Sequence, residues 1–231
     1  MWRIPLRSVL QPIVHTSTGQ VIGHEALLRG PAGSQWESPA ALFAEAKRLG
    51  EGPVLESEAR RLAVSRLDDL RQDQSLFVNV DPILPQSTPP VVPPTNRIVL
   101  EIAETRSIID DEDVITHIMA WRSQGYRIAI DDYGVGYMGI GTALVIRPDI
   151  IKIDRLVIMG LHEDRARRAA VEAILHVTQA MGTIVIAEGV ETEEEYMALR
   201  DCGIEYMQGY LFGKPQDVPV DGHVPIPSGI R

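Results

Sequence analysis

A single cysteine, Cys202, is all the thiol chemistry the chain holds. An intrachain disulfide is therefore excluded, and a reducing compartment fits. Lying before Gly203 in a helical stretch, Cys202 reads as a small buried residue. No apolar run approaches the roughly 20 residues that cross a bilayer. Residues 1–14 also lack the apolar region and small-residue cleavage site of a signal peptide. The expectation is a cytoplasmic chain with no membrane segment. Positive charge is scarce: 22 Lys and Arg stand against 32 Asp and Glu, a net charge of −10. With no basic stripe to displace counterions, a nucleic-acid polymer is excluded as partner. The six histidines form no metal set, and strand alternation turns His24 away from its neighbour Glu25. Gly134 and Gly136 are not followed by the Lys-Ser/Thr of a phosphate loop.

What the chain does hold is a 45% hydrophobic composition, enough for a large core, cut into short runs that end in polar residues. Val21-Ile22 leads to Glu25. Leu76-Phe77-Val78 ends in Asn79, and Ile98-Val99-Leu100 in Glu101. Ile128-Ala129-Ile130 ends in Asp131 and Asp132. Ile150-Ile151 ends in Lys152, with Asp154 beyond. Ile184 to Ala187 ends in Glu188, and Glu205-Tyr206-Met207 in Gln208. Segments of helical period lie between most of them: 38–49 with Ser38 as N-cap and Pro39 in the first turn, 54–70, 111–121, 163–181 closed by Gly182, and 192–199 with Thr192 and Glu195 as a capping box. Acidic residues at 110–113 and 191–195 read as helix N-terminal charge, and Arg165, Arg167 and Arg168 as a solvated helix face.

Strand alternating with helix argues a parallel sheet covered by helices. About eight strands in 231 residues favour the closed α/β barrel, whose chemistry sits at the C-terminal strand ends. Only residues 15–20 separate the first two runs. That is too short for a parallel crossover, so the prediction is a modified TIM (β/α)8 barrel with an antiparallel first strand. The expected organisation is one domain over 1–231, with its core in 9–215 and a Pro- and Gly-rich tail, 216–231, crossing the surface or fraying. Six prolines between 82 and 94 forbid a helix in the connection between the Asn79 and Glu101 strands.

The polar termini converge on one rim. Hard divalent cations take oxygen ligands, and Glu25, Asn79, Glu101 and Asp131 supply three carboxylates and an amide oxygen from four strands. Asp131 could bridge to a second ion held by Asp132. Two ions roughly 3.5–4 Å apart clamp a phosphodiester and activate a water between them. Lys152 suits orienting that water or countering phosphate charge. Glu188 suits proton acceptance or outer-sphere contact, Gln208 positioning, and Arg29 a bidentate phosphate grip.

Glu25-Ala26-Leu27-Leu28-Arg29 resembles the signature of the EAL-domain family of cyclic di-GMP phosphodiesterases. So do Gln11-Pro12-Ile13, Val78-Asn79, Leu100-Glu101-Ile102-Ala103-Glu104 and Asp131-Asp132-Tyr133-Gly134. Lys152-Ile153-Asp154-Arg155, the run from Ala187 to Thr192 and the run from Gln208 to Pro215 continue the match in the family's order. The resemblance implies a barrel with a reversed first strand and hydrolysis of cyclic di-GMP to linear pGpG. It implies two Mg²⁺ or Mn²⁺ per site, inhibition by Ca²⁺, and a homodimer. By matching position, Glu25, Asn79, Glu101, Asp131 and Asp132 would hold metal, Lys152 would orient the water, and Glu188 would be the catalytic glutamate. Gln11, Leu28, Arg29 and Gln208 would contact the ligand. Glu104 would brace the loop after Asp132, with Asp154 and Glu191 in supporting positions.

Some positions depart from the family pattern. The loop Asp132-Tyr133-Gly134-Val135-Gly136-Tyr137-Met138-Gly139 lacks the family's usual hydroxyls. Gly30 replaces a common aromatic, and the connection between Asn79 and Glu101 is shorter than usual. No expected metal ligand is lost. The sequence reading is therefore a stand-alone phosphodiesterase. A non-catalytic cyclic di-GMP receptor, or a hydrolase for another phosphodiester, are the alternatives.

Overall fold

The computed structural model describes residues 3–82, 95–103, 111–135 and 139–228. Eight strands close into a barrel in chain order: β1 (Arg7–His15), β2 (Val21–Arg29), β3 (Ser75–Val80), β4 (Ile98–Ala103), β5 (Arg127–Tyr133), β6 (Ile150–Ile153), β7 (Ile184–Ala187) and β8 (Tyr206–Gln208). Strand β1 runs antiparallel to both neighbours, β2 and β8, and every other pair is parallel. The short 15–20 turn dictates that reversal, as expected.

The helices are α1 (Pro39–Leu49), α2 (Gly52–Ser65), α3 (Glu112–Ser123), α4 (Ile140–Ile146), α5 (Arg155–Ile158), α6 (Arg165–Met181) and α7 (Glu193–Cys202). Their starts are chemically marked. The side chains of Ser38, Asp111, Asp154, Asp164 and Thr192 each accept a backbone N–H of the first turn. The Thr192 box is not reciprocal, because Glu195 Oε2 accepts from Glu191 N–H.

The predicted 54–70 helix divides into α2 and a 3-10 turn, Arg66–Asp69. Residues three apart share a face in 3-10 geometry, which lets Leu67 and Leu70 enter the same apolar cluster. Helices α4 and α5 went unpredicted. The first leaves Ile140, Leu144 and Val145 exposed, so its apolar pattern has no single face. The second is one turn long.

Two apolar layers position the site. Inside the barrel, Ile13, Phe77, Val99, Ala129, Ile150 and Ile186 form a dry plug. Outside, alternate strand residues such as Leu76, Leu100, Ile128 and Ile151 pack beneath helices through Ala63, Ile118 and Trp121. Each fully buried large side chain of this kind contributes roughly 1.5–3 kcal/mol.

The tail does not fray over its described residues. Gln216 bridges Leu10 and His223 bridges Gln20, Arg7 pairs with Asp217 at 2.9 Å, and Val224 is buried. The hairpin β1–β2 has no intervening helix, so the tail supplies the cover. The proline-rich connection expected to be irregular lies, over residues 83–94, outside the described residues.

Candidate metal centre

Side-chain parity builds the site directly above the plug. In a strand, residues two apart share a face. Two positions beyond Phe77, Val99, Ala129, Ile150 and Ile186 come Asn79, Glu101, Asp131, Lys152 and Glu188. On reversed β1 the equivalent step runs backwards, from Ile13 to Gln11. Tyr206 leads to Gln208 and Gly23 to Glu25. A Cβ on Gly23 would lie 3.1 Å from Phe77 Cε2, so the small residue lets the plug close beneath Glu25.

Lys152 stands at the centre, with no exposed surface. Its Nζ lies 2.6 Å from Glu101 Oε1, 2.9 Å from Asp131 Oδ1 and 3.5 Å from Glu25 Oε2, and it pairs with Glu188 Oε1. Burial alone would lower its pKa, but the four carboxylates outweigh that and hold it well above the ordinary lysine value. One cation does not neutralise four acids. Burial, with Glu25 and Asp131 adding to it, pushes Glu101 well above the carboxylate range against the pull of Lys152. Burial and the Asp131 charge do the same to Glu188. Burial also acts to raise Asp131, but Lys152 and hydrogen bonds from Glu188 and the Asp132 backbone hold it below the usual value. Of the two, Glu188 thus holds a proton more tightly than Asp131.

The carboxylates form two triplets that share Asp131: Glu25, Glu101 and Asp131, and Asp131, Asp132 and Glu188. In each, the ligand atoms lie within 4.8 Å of one another. Apart from the Lys152 ion pairs, Glu101 Oε1, Asp131 Oδ1 and Glu188 Oε1 are buried without a hydrogen-bond partner, as is Gln208 Oε1. Oxygen-only donors in two adjoining groups, the first buried and the second opening towards the rim, fit hard divalent cations. Bound cations would compete with protons at Glu101 and Glu188, whose pKa values are raised.

Asp132 reaches this group against strand parity, which would turn it away from Asp131's side. It is one of two non-glycine residues described with positive φ, at 56°, and the β5–β6 register shifts between Ile130 and Tyr133. The left-handed backbone swings its carboxylate back to the rim. Burial, then Asp131 and Asp154, raise its pKa to about 6.

The remaining expected residues are placed as follows. Asn79 Nδ2 donates to Glu25 Oε1 at 3.0 Å and Glu101 Oε2 at 3.3 Å. Gln208 Nε2 donates to Glu25 Oε2 at 2.6 Å and Gln11 Oε1 at 3.2 Å, while Gln11 Nε2 donates to Gly213 O at 3.1 Å. Arg29 ends β2, its Nη1 donating to Leu28 O at 2.8 Å. Asp154 caps α5 through Leu156 N–H, and Glu191 pairs with Arg155 at 2.9 Å.

Parity sets Leu28 on the outer face of β2, in the cluster with Leu42, Ala46 and Leu55 under α1 and α2, where it also lines the larger recess beside Glu25. His24 faces outward as expected, its Nε2 accepting from Val220 N–H. Glu104 and residues 136–138 of the altered loop lie outside the described residues.

Two recesses flank Glu25. One of about 270 Å³ is lined by Gln11, Leu27, Arg155, Glu188, Gln208 and Tyr210 among others. The other, about 740 Å³ and more apolar, runs over Val78 and Val80 towards Phe43. Arg155, Leu27 and Tyr210 were not assigned from sequence, although Arg155 stands in a run that was singled out.

The EAL domain family model matches residues 5–215. "Cyclic di-GMP phosphodiesterase PdeR" of Escherichia coli is 29% identical over 214 residues, covering 93% of this chain and 30% of that protein. "Blue light- and temperature-regulated antirepressor BluF" of the same organism is 27% identical, covering 88% of this chain and 52% of that protein. The chain thus spans between about a third and a half of the length of these relatives. The solved calcium and cyclic di-GMP complex of Klebsiella pneumoniae BlrP1 superposes with a TM-score of 0.84 at 29% identity, over 95% of this chain and 58% of that one.

Proposed function

The chain belongs to the EAL domain family, and we propose that it is a metal-dependent phosphodiesterase that opens cyclic di-GMP to linear pGpG. The observation that carries this reading is the pair of carboxylate triplets sharing Asp131 around a buried lysine. Related proteins named for this activity, and a related structure holding cyclic di-GMP, support it.

In this reading Glu25, Glu101 and Asp131, with Asn79, would hold one Mg²⁺ or Mn²⁺, and Asp131, Asp132 and Glu188 would hold the second. Such a pair of cations supplies Lewis acidity and a water acidic enough to attack at neutral pH. Asn79 serves the first site by turning its amide so that Oδ1 takes the place of Nδ2. Lys152, anchored among the carboxylates, orients the attacking water and counters charge that develops on phosphate. Glu188 accepts the water's proton. The water oxygen bonds to phosphorus as the P–O3′ bond breaks, and O3′ leaves with a proton from solvent. Gln208 holds Glu25 in place, and Arg29 and Gln11 meet the ligand at the rim. Ca²⁺ would compete for the same oxygens, and we expect it to inhibit. The working form is a cytoplasmic homodimer.

The test is purified protein with cyclic di-GMP and Mg²⁺ or Mn²⁺, the nucleotides followed by chromatography, with an EDTA control. Linear pGpG formed only with metal is the expected result. Tight binding without product would overturn the enzyme and favour a signalling receptor. The antirepressor name of one relative and the missing hydroxyls of the 133–139 loop are the observations on that side.

A further inference from the structure

Glu188 lies one residue beyond the end of β7, so sheet register alone does not aim its carboxylate. The segment 188–191 is instead held from three directions. Its backbone is tied to the neighbouring strands: Glu188 N–H donates to Ile153 O at 3.0 Å, and Val190 N–H to Gln208 O at 3.0 Å. From the third side comes Arg155, the first residue of α5. Its Nη1 donates to Gly189 O and its Nη2 to Glu191 Oε2 at 2.9 Å. The buried Glu195 completes the corner, its Oε2 3.8 Å from Arg155 Nη1 and accepting from Glu191 N–H at 3.0 Å.

The arginine's stem is as closely fitted as its head. Gly189 sits at φ +66°, and a Cβ there would lie 2.7 Å from Arg155 Cβ and 3.0 Å from its Cγ and Cδ. The glycine meets both a left-handed backbone and a close approach. Although Arg155 lines the smaller recess beside the acids, both arms of its planar fork are already engaged. A fork so occupied is built to hold protein, not to reach for phosphate.

We propose that Arg155 is a positioning residue for the metal centre, holding the 188–191 segment so that the Glu188 carboxylate stays within reach of Asp131, Asp132 and Lys152. Its kinetic consequences rest on the phosphodiesterase reading above; its effect on cation binding does not. Residues that hold metal ligands in place typically change metal affinity or activity by about 10–100-fold when removed.

The experiment compares wild type with Arg155→Ala, Arg155→Lys, Glu191→Gln and the Arg155→Ala/Glu191→Gln double variant. Mn²⁺ binding is read by the electron paramagnetic resonance signal of the free ion, and kcat and KM are measured for cyclic di-GMP. Arg155→Ala should weaken Mn²⁺ binding and lower kcat by about 10–100-fold, with KM within about threefold. Arg155→Lys, which keeps the charge but closes only one arm, should fall between. The double variant should be no worse than Arg155→Ala, because both remove one link. A raised KM at unchanged kcat would overturn the proposal in favour of phosphate gripping. Wild-type Mn²⁺ binding in Arg155→Ala would also overturn it. Should Arg155→Ala fail to fold, Arg155→Lys and Glu191→Gln carry the same comparison. A wild type that binds Mn²⁺ but makes no pGpG would refute the phosphodiesterase while leaving the Mn²⁺ comparison decisive.

Discussion

Among the described residues, Lys152→Met removes the one cation paired with the four carboxylates while nearly preserving side-chain volume. Lys152 has no exposed surface, and its Nζ pairs most closely with Glu188 and then lies 2.6 Å from Glu101 and 2.9 Å from Asp131. For Asp131, held below the usual carboxylate pKa, an effective dielectric of about 20 gives roughly 6 kcal/mol of attraction, set against a dehydration penalty of several kcal/mol for each ion. Breaking a buried network by deleting one partner leaves a net loss of about 3–5 kcal/mol. For a domain of this size that corresponds to a fall in Tm of roughly 10 °C. The loss should shrink when Mn²⁺ is added, because bound divalent charge takes over the neutralisation and stabilises the folded form by mass action. Urea and thermal unfolding of both proteins, with EDTA and with Mn²⁺, measure this. In the same variant kcat should fall by at least about 100-fold while cyclic di-GMP affinity changes little. A variant as stable as wild type in EDTA would refute the idea that the ammonium offsets the carboxylates. A pure loss of nucleotide binding would move Lys152 to a substrate-gripping role.

Three further outcomes follow from the same geometry. Glu25→Ala removes a ligand and the acceptor shared by Asn79 and Gln208; pGpG formation should drop by about 1,000-fold or more while circular dichroism stays native, and wild-type turnover would refute the two-metal assignment. Asp132, with its pKa raised to about 6, takes up a proton below that pH, so Mn²⁺ affinity should fall about a further tenfold per pH unit below 6, beyond the competition at Glu101 and Glu188, and Asp132→Asn should remove that added slope; an unchanged slope in Asp132→Asn would refute its place in the second site. Burial lowers the His24 pKa from 6.5 to about 4. The unfolded chain therefore binds the proton more readily between those values. Stability present above pH 6.5 should decline by roughly 3 kcal/mol as pH falls to 4, and His24→Leu should remove that part of the slope in urea titrations; an identical slope would refute it.

Much of this architecture is legible in the sequence because it is periodic. Runs such as Ile98-Val99-Leu100 before Glu101 announce buried parallel strands. Period-two alternation then sets Asn79, Glu101, Asp131 and Lys152 on one face above Phe77, Val99, Ala129 and Ile150. The six-residue link before Val21 suffices to reverse β1, since a parallel crossover cannot be that short. The acid-rich rim follows from those strand ends alone.

What only the tertiary structure decided are the places where periodicity stops. Asp132 joins the centre because its backbone turns left-handed at φ 56°, a local choice that no alternation encodes. Alternation carries Leu28 to the outer face of β2, and only the packing of α1 and α2 there leaves it also lining the larger recess. Arg155 acquires its partners from a segment 34 to 40 residues further along, and the 216–224 tail finds its cover on β1 and β2. Such contacts join residues far apart in the chain. Local pattern fixes which face a side chain takes, but only the closed barrel sets which other side chains share it.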